Sequence, residues 1–240
     1  MYIPRYGMDK NFNPSVLIFT GAGISAESGI STFRDTNGLW DNHNIEEICN
    51  INTWEKNNDL VKPFYNQRRT ELKLKSPNVA HKIISKISKE KETLVFTQNI
   101  DDLLDREETK NLTHLHGELT KMQCQDCFHR WDIGYTEYKE EKCPNCNSER
   151  IKPFVVFFGE GAPEYSSLSR ALAYFNDPSK TIIVSGTSGT VIDITRKIKD
   201  LKCKKILNNL EPNKNIDDTF YDYVFYESAT SAWKKIEKLI

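Results

Sequence analysis

The stretch at residues 21–34, GAGISAESGISTFR, decides how this sequence folds. It follows directly on the apolar run VLIFT at residues 16–20, which has the length of a buried strand. Small residues at Gly21, Gly23 and Ala26 are typical of the turn in a dinucleotide site, where a strand leads into a helix and backbone N–H groups approach a pyrophosphate. The same pattern also occurs in purely structural turns, so by itself it leaves both interpretations open.

The residues after this turn form a long polar loop. Glu27, Ser28 and Gly29 lead into a segment that carries one aromatic ring, Phe33, and one guanidinium group, Arg34. Such a loop is typical of one that folds over a bound ligand. The continuation therefore favours the nucleotide interpretation of the turn.

Length and charge exclude several classes of protein. A chain of 240 residues is long enough for one large domain or for a large and a small one, and it buries roughly 70–75% of its extended surface. The 33 basic and 34 acidic residues give a net charge of -1, which provides no field that would attract nucleic acid or an anionic membrane. The basic run at residues 196–205 is interpreted as a solvated helix face, with phosphate contact as the alternative.

The sequence also predicts where the protein is found. No stretch reaches the roughly 18 apolar residues of a membrane span, and residues 1–13 are too polar for a secretory signal. We therefore expect a soluble, cytoplasmic protein.

Four of the six cysteines form a metal-binding pattern. Cys124, Cys127, Cys143 and Cys146 make two C-x2-C pairs separated by fifteen residues, which brings four thiolates to one tetrahedral zinc ion. Disulfides are the alternative, and an intracellular environment disfavours them. Because four cysteines fill every position, the zinc is expected to be structural. The remaining two cysteines have no partner pattern and are interpreted as ordinary thiols.

Strands alternate with helical patterns, which predicts an α/β fold with a parallel sheet covered on both faces. The predicted strands are 16–20, 93–97, 181–185, 205–208 and 223–226, and the predicted helices are 60–74, 79–89, 168–175, 191–201 and 231–240. Residues 36–76 and 118–152 interrupt this rhythm. We expect these two segments to form a smaller second lobe.

A second polar cluster follows the predicted strand at residues 93–97. Gln98, Asn99 and Asp101 lie where a parallel strand ends, which is the edge at which open α/β sheets bind ligands. Capping of the next helix is an equally good explanation of these side chains. His116 comes fifteen residues after Asp101, and in a ligand cleft a histidine can serve as a general base. An isolated histidine is more often structural, but the clustering favours a catalytic role.

Taken together, these motifs resemble those of the sirtuins, which are NAD-dependent protein lysine deacylases. The resemblance covers about residues 14–230, and it rests on the following motifs in order: GAGISAESGISTFR, TQNID, LHG, the two C-x2-C pairs, FFGE at 157–160, SGTS at 185–188 and NLEP at 209–212.

The resemblance implies a Rossmann-like NAD-binding domain of residues 1–35, 77–117 and 153–240. It also implies a small domain made of a helical module, residues 36–76, and a zinc-binding module, residues 118–152. An acyl-lysine protein or peptide would lie in the cleft between them, near Val156 and Phe157, and pair with the flanking backbone. A monomer is expected.

The resemblance also implies roles for individual residues. Contacts with the phosphates, riboses and nicotinamide of NAD fall to a set of residues spread over four segments: Gly21, Ala22, Gly23, Ala26, Phe33, Arg34, Gln98, Asn99, Asp101, Gly186, Thr187, Ser188, Asn209 and Glu211. Asn99, Asp101 and His116 would be catalytic. His116 would take a proton from a ribose hydroxyl, after which the acyl group leaves lysine as O-acyl-ADP-ribose and nicotinamide is released.

The acyl preference is predicted from one helix turn. Tyr65 and Arg68 are three residues apart and so share a helix face. Arginine binds carboxylates in a bidentate manner, and sirtuins that remove succinyl and malonyl groups have a similar Tyr-x-x-Arg pair. The alternative is an amphipathic helix with a buried aromatic residue and exposed arginines. Within the resemblance we expect succinyl and malonyl groups to be preferred, with acetyl also possible.

The sequence departs from the sirtuin pattern in three places. Leu104 replaces a common histidine, residues 105–110 are acidic and lack the usual Ala-Gly-Ser, and Gly189 replaces a bulky residue. Two other functions stay open: a mono-ADP-ribosyltransferase on the same fold, and a non-catalytic NAD sensor.

Overall fold

The computed structural model of this chain describes residues 12–31, 45–139 and 142–240. In this part of the chain the strands are β1 (Val16–Thr20), β2 (Thr93–Thr97), β3 (Leu112–His114), β4 (Gly117–Cys124), β5 (Arg130–Asp132), β6 (Ile151–Val155), β7 (Thr181–Ser185), β8 (Lys204–Asn209) and β9 (Tyr223–Tyr226). The α-helices are α1 (Ile45–Ile48), α2 (Asn58–Lys73), α3 (Val79–Glu90), α4 (Leu103–Arg106), α5 (Glu164–Leu172), α6 (Ile194–Ile198) and α7 (Ala229–Ile236).

Six strands form one parallel sheet in the order β3-β2-β1-β7-β8-β9. The chain continues from β1 to β2 on one side of β1 and later returns to form β7 on the other side of β1. The strand order reverses between β1 and β7, and open α/β sheets bind ligands at the carboxyl ends of the strands at such a reversal. β1 is apolar at nearly every position because both faces of the sheet are covered. The predicted α/β fold with a parallel sheet is confirmed.

Two hydrophobic cores lie on opposite faces of this sheet. Leu17 and Phe19 point into one core, and Val16 and Ile18 point into the other. This alternation is the period of two expected of a strand. The second core also contains Trp233, which is fully buried on helix α7.

Several predicted elements differ from the structure in extent. Two short 3-10 turns, Ala22–Ile24 and Ala26–Ser28, follow β1 in place of the expected helix. The helix predicted at 191–201 is reduced to α6, whose start is capped by the Asp193 side chain. Strand β3 was not predicted, since three residues are too few to show a periodic pattern.

The segment at 118–152 contributes strands to a separate antiparallel sheet in the order β5-β4-β6. Helix α2 contacts this region through Arg69, whose side chain is buried and donates hydrogen bonds to the carbonyl oxygens of Thr136 and Leu119. Burial lowers the pKa of Arg69 to about 10. The buried guanidinium therefore joins the helical segment to the cysteine-bearing segment.

The departures at Leu104 and Gly189 have packing explanations. Leu103 and Leu104 are buried in two different hydrophobic clusters. Gly189 has a φ of 70°, and a Cβ there would lie 2.9 Å from the carbonyl oxygen of Asn215. A bulky residue at this position would therefore clash and would be strained.

Among the described residues, no helix has the length and apolar character needed to cross a membrane.

Candidate functional site

The loops after β1 and β7 meet at the carboxyl edge of the sheet. Gly21 N–H donates to the Ser185 carbonyl at 3.0 Å, and Gly23 N–H donates to the Gly186 carbonyl at 2.8 Å. A Cβ at Gly23 would lie 2.7 Å from the Gly186 Cα, and one at Gly186, where φ is 67°, would lie 2.5 Å from the Ile24 nitrogen. Glycine is required at these positions because two backbones approach each other there.

A buried polar network lies directly behind this contact. The Ser25 hydroxyl donates to Asp101 Oδ2 at 2.9 Å and accepts a hydrogen bond from Asn99 Nδ2 at 3.1 Å. The other oxygen of Asp101 accepts from the Leu103 N–H at 3.1 Å. Burial raises the pKa of Asp101, although these donors oppose the effect. The network ties the side chains of the two predicted site residues, Asn99 and Asp101, to the same Ser25 hydroxyl.

His81 completes this network. Its Nδ1 accepts a hydrogen bond from the Asn78 N–H at 3.2 Å, so the proton of the neutral ring is on Nε2, which lies 3.3 Å from the Ser25 hydroxyl. Burial lowers the pKa of His81 to about 4, which keeps the ring neutral at physiological pH. Neither Ser25 nor His81 was predicted as a site residue. The two are 56 positions apart, and no motif spacing connects them.

Gln98 connects the ends of two strands. Its Nε2 donates to the Thr187 hydroxyl at 2.8 Å, and its own N–H donates to the Thr20 carbonyl at 2.9 Å. Thr187 is buried, whereas Ser188 is half-buried. The predicted residues from β2 and β7 are therefore brought together at one edge of the sheet.

The remaining predicted nucleotide contacts lie at the periphery. Asn209 is the last residue of β8 and is buried, and Glu211 is exposed beyond it. Ala22 is half-buried and Ala26 is exposed on the turns after β1. Phe33 and Arg34 lie outside the described residues.

His116 is half-buried at the same edge of the sheet. Its Nδ1 lies 3.0 Å from the Gln98 carbonyl oxygen, which can only accept, so Nδ1 carries the ring proton. Nε2 is then the basic nitrogen, and it lies 2.7 Å from the Tyr165 hydroxyl. Burial lowers the pKa of His116, and the hydrogen bond to Gln98 partly opposes this shift. The ring is thus a neutral base held in a single tautomer.

His114 has a different electrostatic state from His116. Its Nδ1 lies 2.9 Å from the Asn99 carbonyl oxygen and its Nε2 lies 2.9 Å from Asp105 Oδ2. Both partners are acceptors, so the ring satisfies both only when it is doubly protonated. Burial opposes this charge, but Asp105, Glu118 and the Asn99 carbonyl raise the pKa of His114 overall. The imidazolium therefore ties the Asn99 backbone to helix α4.

The predicted acyl-binding residues lie on helix α2 and on the segment after β6. The Tyr65 ring is fully buried, stacks on the Phe157 ring at a centroid distance of 5.8 Å, and donates its hydroxyl to the Cys49 Sγ at 3.3 Å. The side chain of Arg68 is 12% exposed and lies 3.8 Å from Glu71. Arg68 is therefore largely buried, contrary to the expectation for a simple amphipathic helix.

A buried ion pair supports the segment that carries Val156 and Phe157. Lys152 Nζ, 1% exposed, lies 2.9 Å from Glu160 Oε2 and donates to the Val155 carbonyl at 2.6 Å. The same oxygen of Glu160 accepts from the Phe157 N–H at 2.9 Å, and the Val156 N–H donates to the His116 carbonyl at 2.9 Å. The FFGE motif predicted this segment, but Lys152 had no sequence signal.

The four predicted zinc ligands converge. All four sulfur atoms lie within 4.8 Å of one another. The Cys124–Cys146 and Cys127–Cys143 pairs are separated by 3.6 and 3.7 Å. A tetrahedron with Zn–S bonds of about 2.3 Å has edges of about 3.8 Å, so the sulfur positions fit one zinc ion. Because four thiolates complete the coordination, the ion would be structural.

Comparison with known proteins agrees with this geometry. A family model described as "Sir2 family" matches residues 21–193. An NAD-dependent protein deacylase of Helicobacter hepaticus is 40% identical, over 94% of this chain and 96% of the relative. A protein of the same name from Bdellovibrio bacteriovorus is 37% identical, over 97% of this chain and all of the relative.

Solved structures show the same fold. A Sir2 homologue in complex with NAD superposes with a TM-score of 0.80 at 29% identity, covering 97% of this chain and 94% of that one. A mutant Sir2 homologue in complex with ADP ribose gives a TM-score of 0.82 at 29% identity, with 96% of each chain covered.

Proposed function

This chain belongs to the Sir2 family, and we propose that it is an NAD-dependent protein deacylase that removes acyl groups from lysine side chains. The relatives that bear the name NAD-dependent protein deacylase match this chain over nearly its whole length. The observation that carries the proposal is His116: a half-buried, neutral imidazole whose Nδ1–H bonds to the carbonyl of Gln98, the residue that precedes Asn99, so that Nε2 is the basic nitrogen.

The site residues fit a nicotinamide dinucleotide. Amide and hydroxyl groups of Gln98, Asn99 and Thr187 at the carboxyl edge of the sheet match the hydrogen-bonding groups of ribose and nicotinamide. When bound, NAD supplies a sugar carbon with a good leaving group and hydroxyls that accept the acyl group. The zinc ion would have no part in this chemistry, because its four cysteines leave no position for substrate.

The residues of this chain would bind and orient NAD, and one of them would move a proton. His116 would accept a proton at Nε2 from a ribose hydroxyl, and Gln98 would keep the ring in the required tautomer. Asn99 and Asp101, oriented by Ser25 and His81, would hold the nicotinamide end. General base catalysis of this kind contributes a factor of about 10²–10⁴. Phe33 and Arg34 would cover the reacting end, as predicted from the family resemblance.

We propose that the acyl group carries a carboxylate, as in succinyl and malonyl lysine. Arg68 and Tyr65 share a face of helix α2. Burial lowers the pKa of Arg68, while Glu71 and Tyr65 oppose that shift. The 3.8 Å separation from Glu71 is longer than a strong charged hydrogen bond. A terminal carboxylate on the acyl group would offer this guanidinium a bidentate partner.

The two sheets support the predicted division into domains. We propose that residues 1–35, 77–117 and 153–240 form the NAD-binding domain, with the helical module at 36–76 and the zinc-binding module at 118–152 as the small domain. The peptide would lie between them, against the backbone at Val156 and Phe157. The monomeric state, the cytoplasmic location and the lack of nucleic-acid and membrane partners stay predictions from the sequence.

The test uses one peptide that carries acetyl, malonyl or succinyl lysine, incubated with NAD and the purified chain. We expect nicotinamide and deacylated peptide to form together, and the His116→Ala variant to bind NAD but lose nearly all deacylation. Transfer of ADP-ribose to protein, or binding of NAD without nicotinamide release, would instead support the transferase or the sensor. A His116→Ala variant with wild-type turnover would contradict the proposed role of the base.

The same panel tests the acyl pocket. Arg68→Met should depress removal of succinyl and malonyl groups much more than removal of acetyl. Gln67→Met is the matched control, since Gln67 is the exposed neighbour on the same helix turn. Equal losses on all three peptides would show that Arg68 does not select the acyl group.

A further inference from the structure

The basic nitrogen of His116 is hydrogen-bonded to the hydroxyl of Tyr165. The O–H donates to Nε2 at 2.7 Å, and Tyr165 belongs to no motif that the sequence analysis singled out. We propose that Tyr165 competes with NAD for His116: its hydroxyl holds this nitrogen in the free enzyme and yields it to a sugar hydroxyl of NAD. The inference rests on the proposed function, in which His116 is the base.

The Tyr165 hydroxyl and a ribose hydroxyl of NAD would compete for the same acceptor atom, Nε2 of His116. The Gln98 carbonyl fixes the ring proton on Nδ1, so Nε2 has one lone pair in the plane of the ring. One lone pair accepts one well-aligned donor, and Tyr165 already supplies it. A ribose hydroxyl can reach the base directly only after the phenol has moved.

Tyr165 is only half-buried at the start of helix α5. Tyr165 is the second residue of α5, and its backbone N–H bonds to the Ala162 carbonyl at 3.1 Å in the turn that starts the helix. The ring is half-buried against the core, and its plane is tilted by 58° from the His116 ring, so the two rings do not stack. Burial raises the pKa of Tyr165, which keeps the phenol protonated and able to donate.

The competition between Tyr165 and NAD should change the affinity for NAD by a measurable factor. The net strength of an ordinary hydrogen bond corresponds to a factor of about 2–12 in an equilibrium constant. Tyr165→Phe removes the competitor and keeps the ring. We therefore expect the variant to bind NAD about 2–12 times more tightly, with kcat for deacylation within about twofold of wild type.

The experiment measures NAD binding by calorimetry and the His116 ring by ¹⁵N NMR on histidine-labelled full-length protein. His116→Ala identifies the resonance. We expect the Nε2 signal of free wild type to move on NAD addition, and Tyr165→Phe to shift it without NAD. Tyr174→Phe is the control, since Tyr174 is 52% exposed on the turn after α5.

Three results would overturn the inference. An unchanged Nε2 signal in free Tyr165→Phe would show that the phenol does not hold the base. NAD affinity equal to that of wild type, with a shifted Nε2 signal, would show that NAD does not displace it. A loss of kcat greater than tenfold, with nicotinamide release kept, would show that the phenol takes part in proton transfer. If the wild type failed to deacylate any peptide, the proposed function would fail, while the NMR measurement would still report on the Tyr165–His116 bond.

Discussion

Removal of the buried ammonium of Lys152 is the most direct test of how the FFGE segment is held. Lys152 is 1% exposed and contacts the Glu160 carboxylate at 2.9 Å, the Val155 carbonyl at 2.6 Å and the Phe157 ring at a centroid distance of 4.3 Å. Lys152→Met preserves the length and volume of the side chain but deletes the charge and its donors. Glu160 then keeps a charge without its partner.

The expected cost follows from the burial of the pair. Breaking a buried ion pair by removing one partner costs about 3–5 kcal/mol. The Glu160 side chain is 19% exposed, so water can solvate its carboxylate in part after Lys152 is removed. We therefore expect the free energy of unfolding to fall by about 2–4 kcal/mol. Burial itself lowers the pKa of Lys152, whereas Glu160 opposes that shift, which is the same balance between desolvation and attraction.

A double-mutant cycle isolates the pair. Glu160→Gln keeps an oxygen that can accept from the Phe157 N–H, and the Lys152→Met/Glu160→Gln double variant leaves no unpaired charge. We expect the double variant to be more stable than the sum of the single losses implies, with an interaction energy of about 1–3 kcal/mol. Urea unfolding followed by the fluorescence of the 4 tryptophans gives each free energy. Lys139→Met, at an 82% exposed lysine 3.6 Å from Glu137, is the control and should show no measurable loss.

Two results would refute this reasoning. A loss below about 1 kcal/mol for Lys152→Met would mean that the ammonium is not needed to hold the segment. Additive losses around the cycle would mean that the two charges stabilise the fold independently.

Two further predictions concern the zinc site and His114. The purified chain should contain one zinc ion per molecule by elemental analysis. Removal of the zinc ion by a chelator should expose the amides of β4, β5 and β6 to hydrogen exchange, while the parallel sheet stays protected. Full protection of these amides after complete zinc loss would refute a structural role for the ion. Because the pKa of His114 is raised above its usual 6.5, its stabilising contribution is fully present below about pH 6.5 and is lost as pH rises through the raised value. The difference in free energy of unfolding between wild type and His114→Gln should therefore shrink between pH 6 and pH 9. A difference that is constant with pH would show that folding does not raise the pKa of His114.

Much of the architecture was predictable from local pattern. The apolar runs at β1, β2 and β7 are buried at every position, and their bounds match the predicted ones because a strand covered on both faces has no polar alternation. The cysteine spacing likewise predicted the convergence of four sulfurs. The 3-10 turns after β1 and the three-residue strand β3 were not predictable, since neither is long enough to show a period.

The sequence by itself determined the parallel sheet, the zinc ligands, and the glycine, amide and histidine motifs at the sheet edge, because these depend on periodicity and on short spacing. Only the tertiary structure decided which side chains form hydrogen bonds or ion pairs with one another. Ser25 meets His81 across 56 positions, His116 meets Tyr165 across 49, and Lys152 reaches Glu160 only after the chain reverses. Hydrogen bonds and ion pairs act over a few ångströms in space, so distance along the chain carries no signal for them.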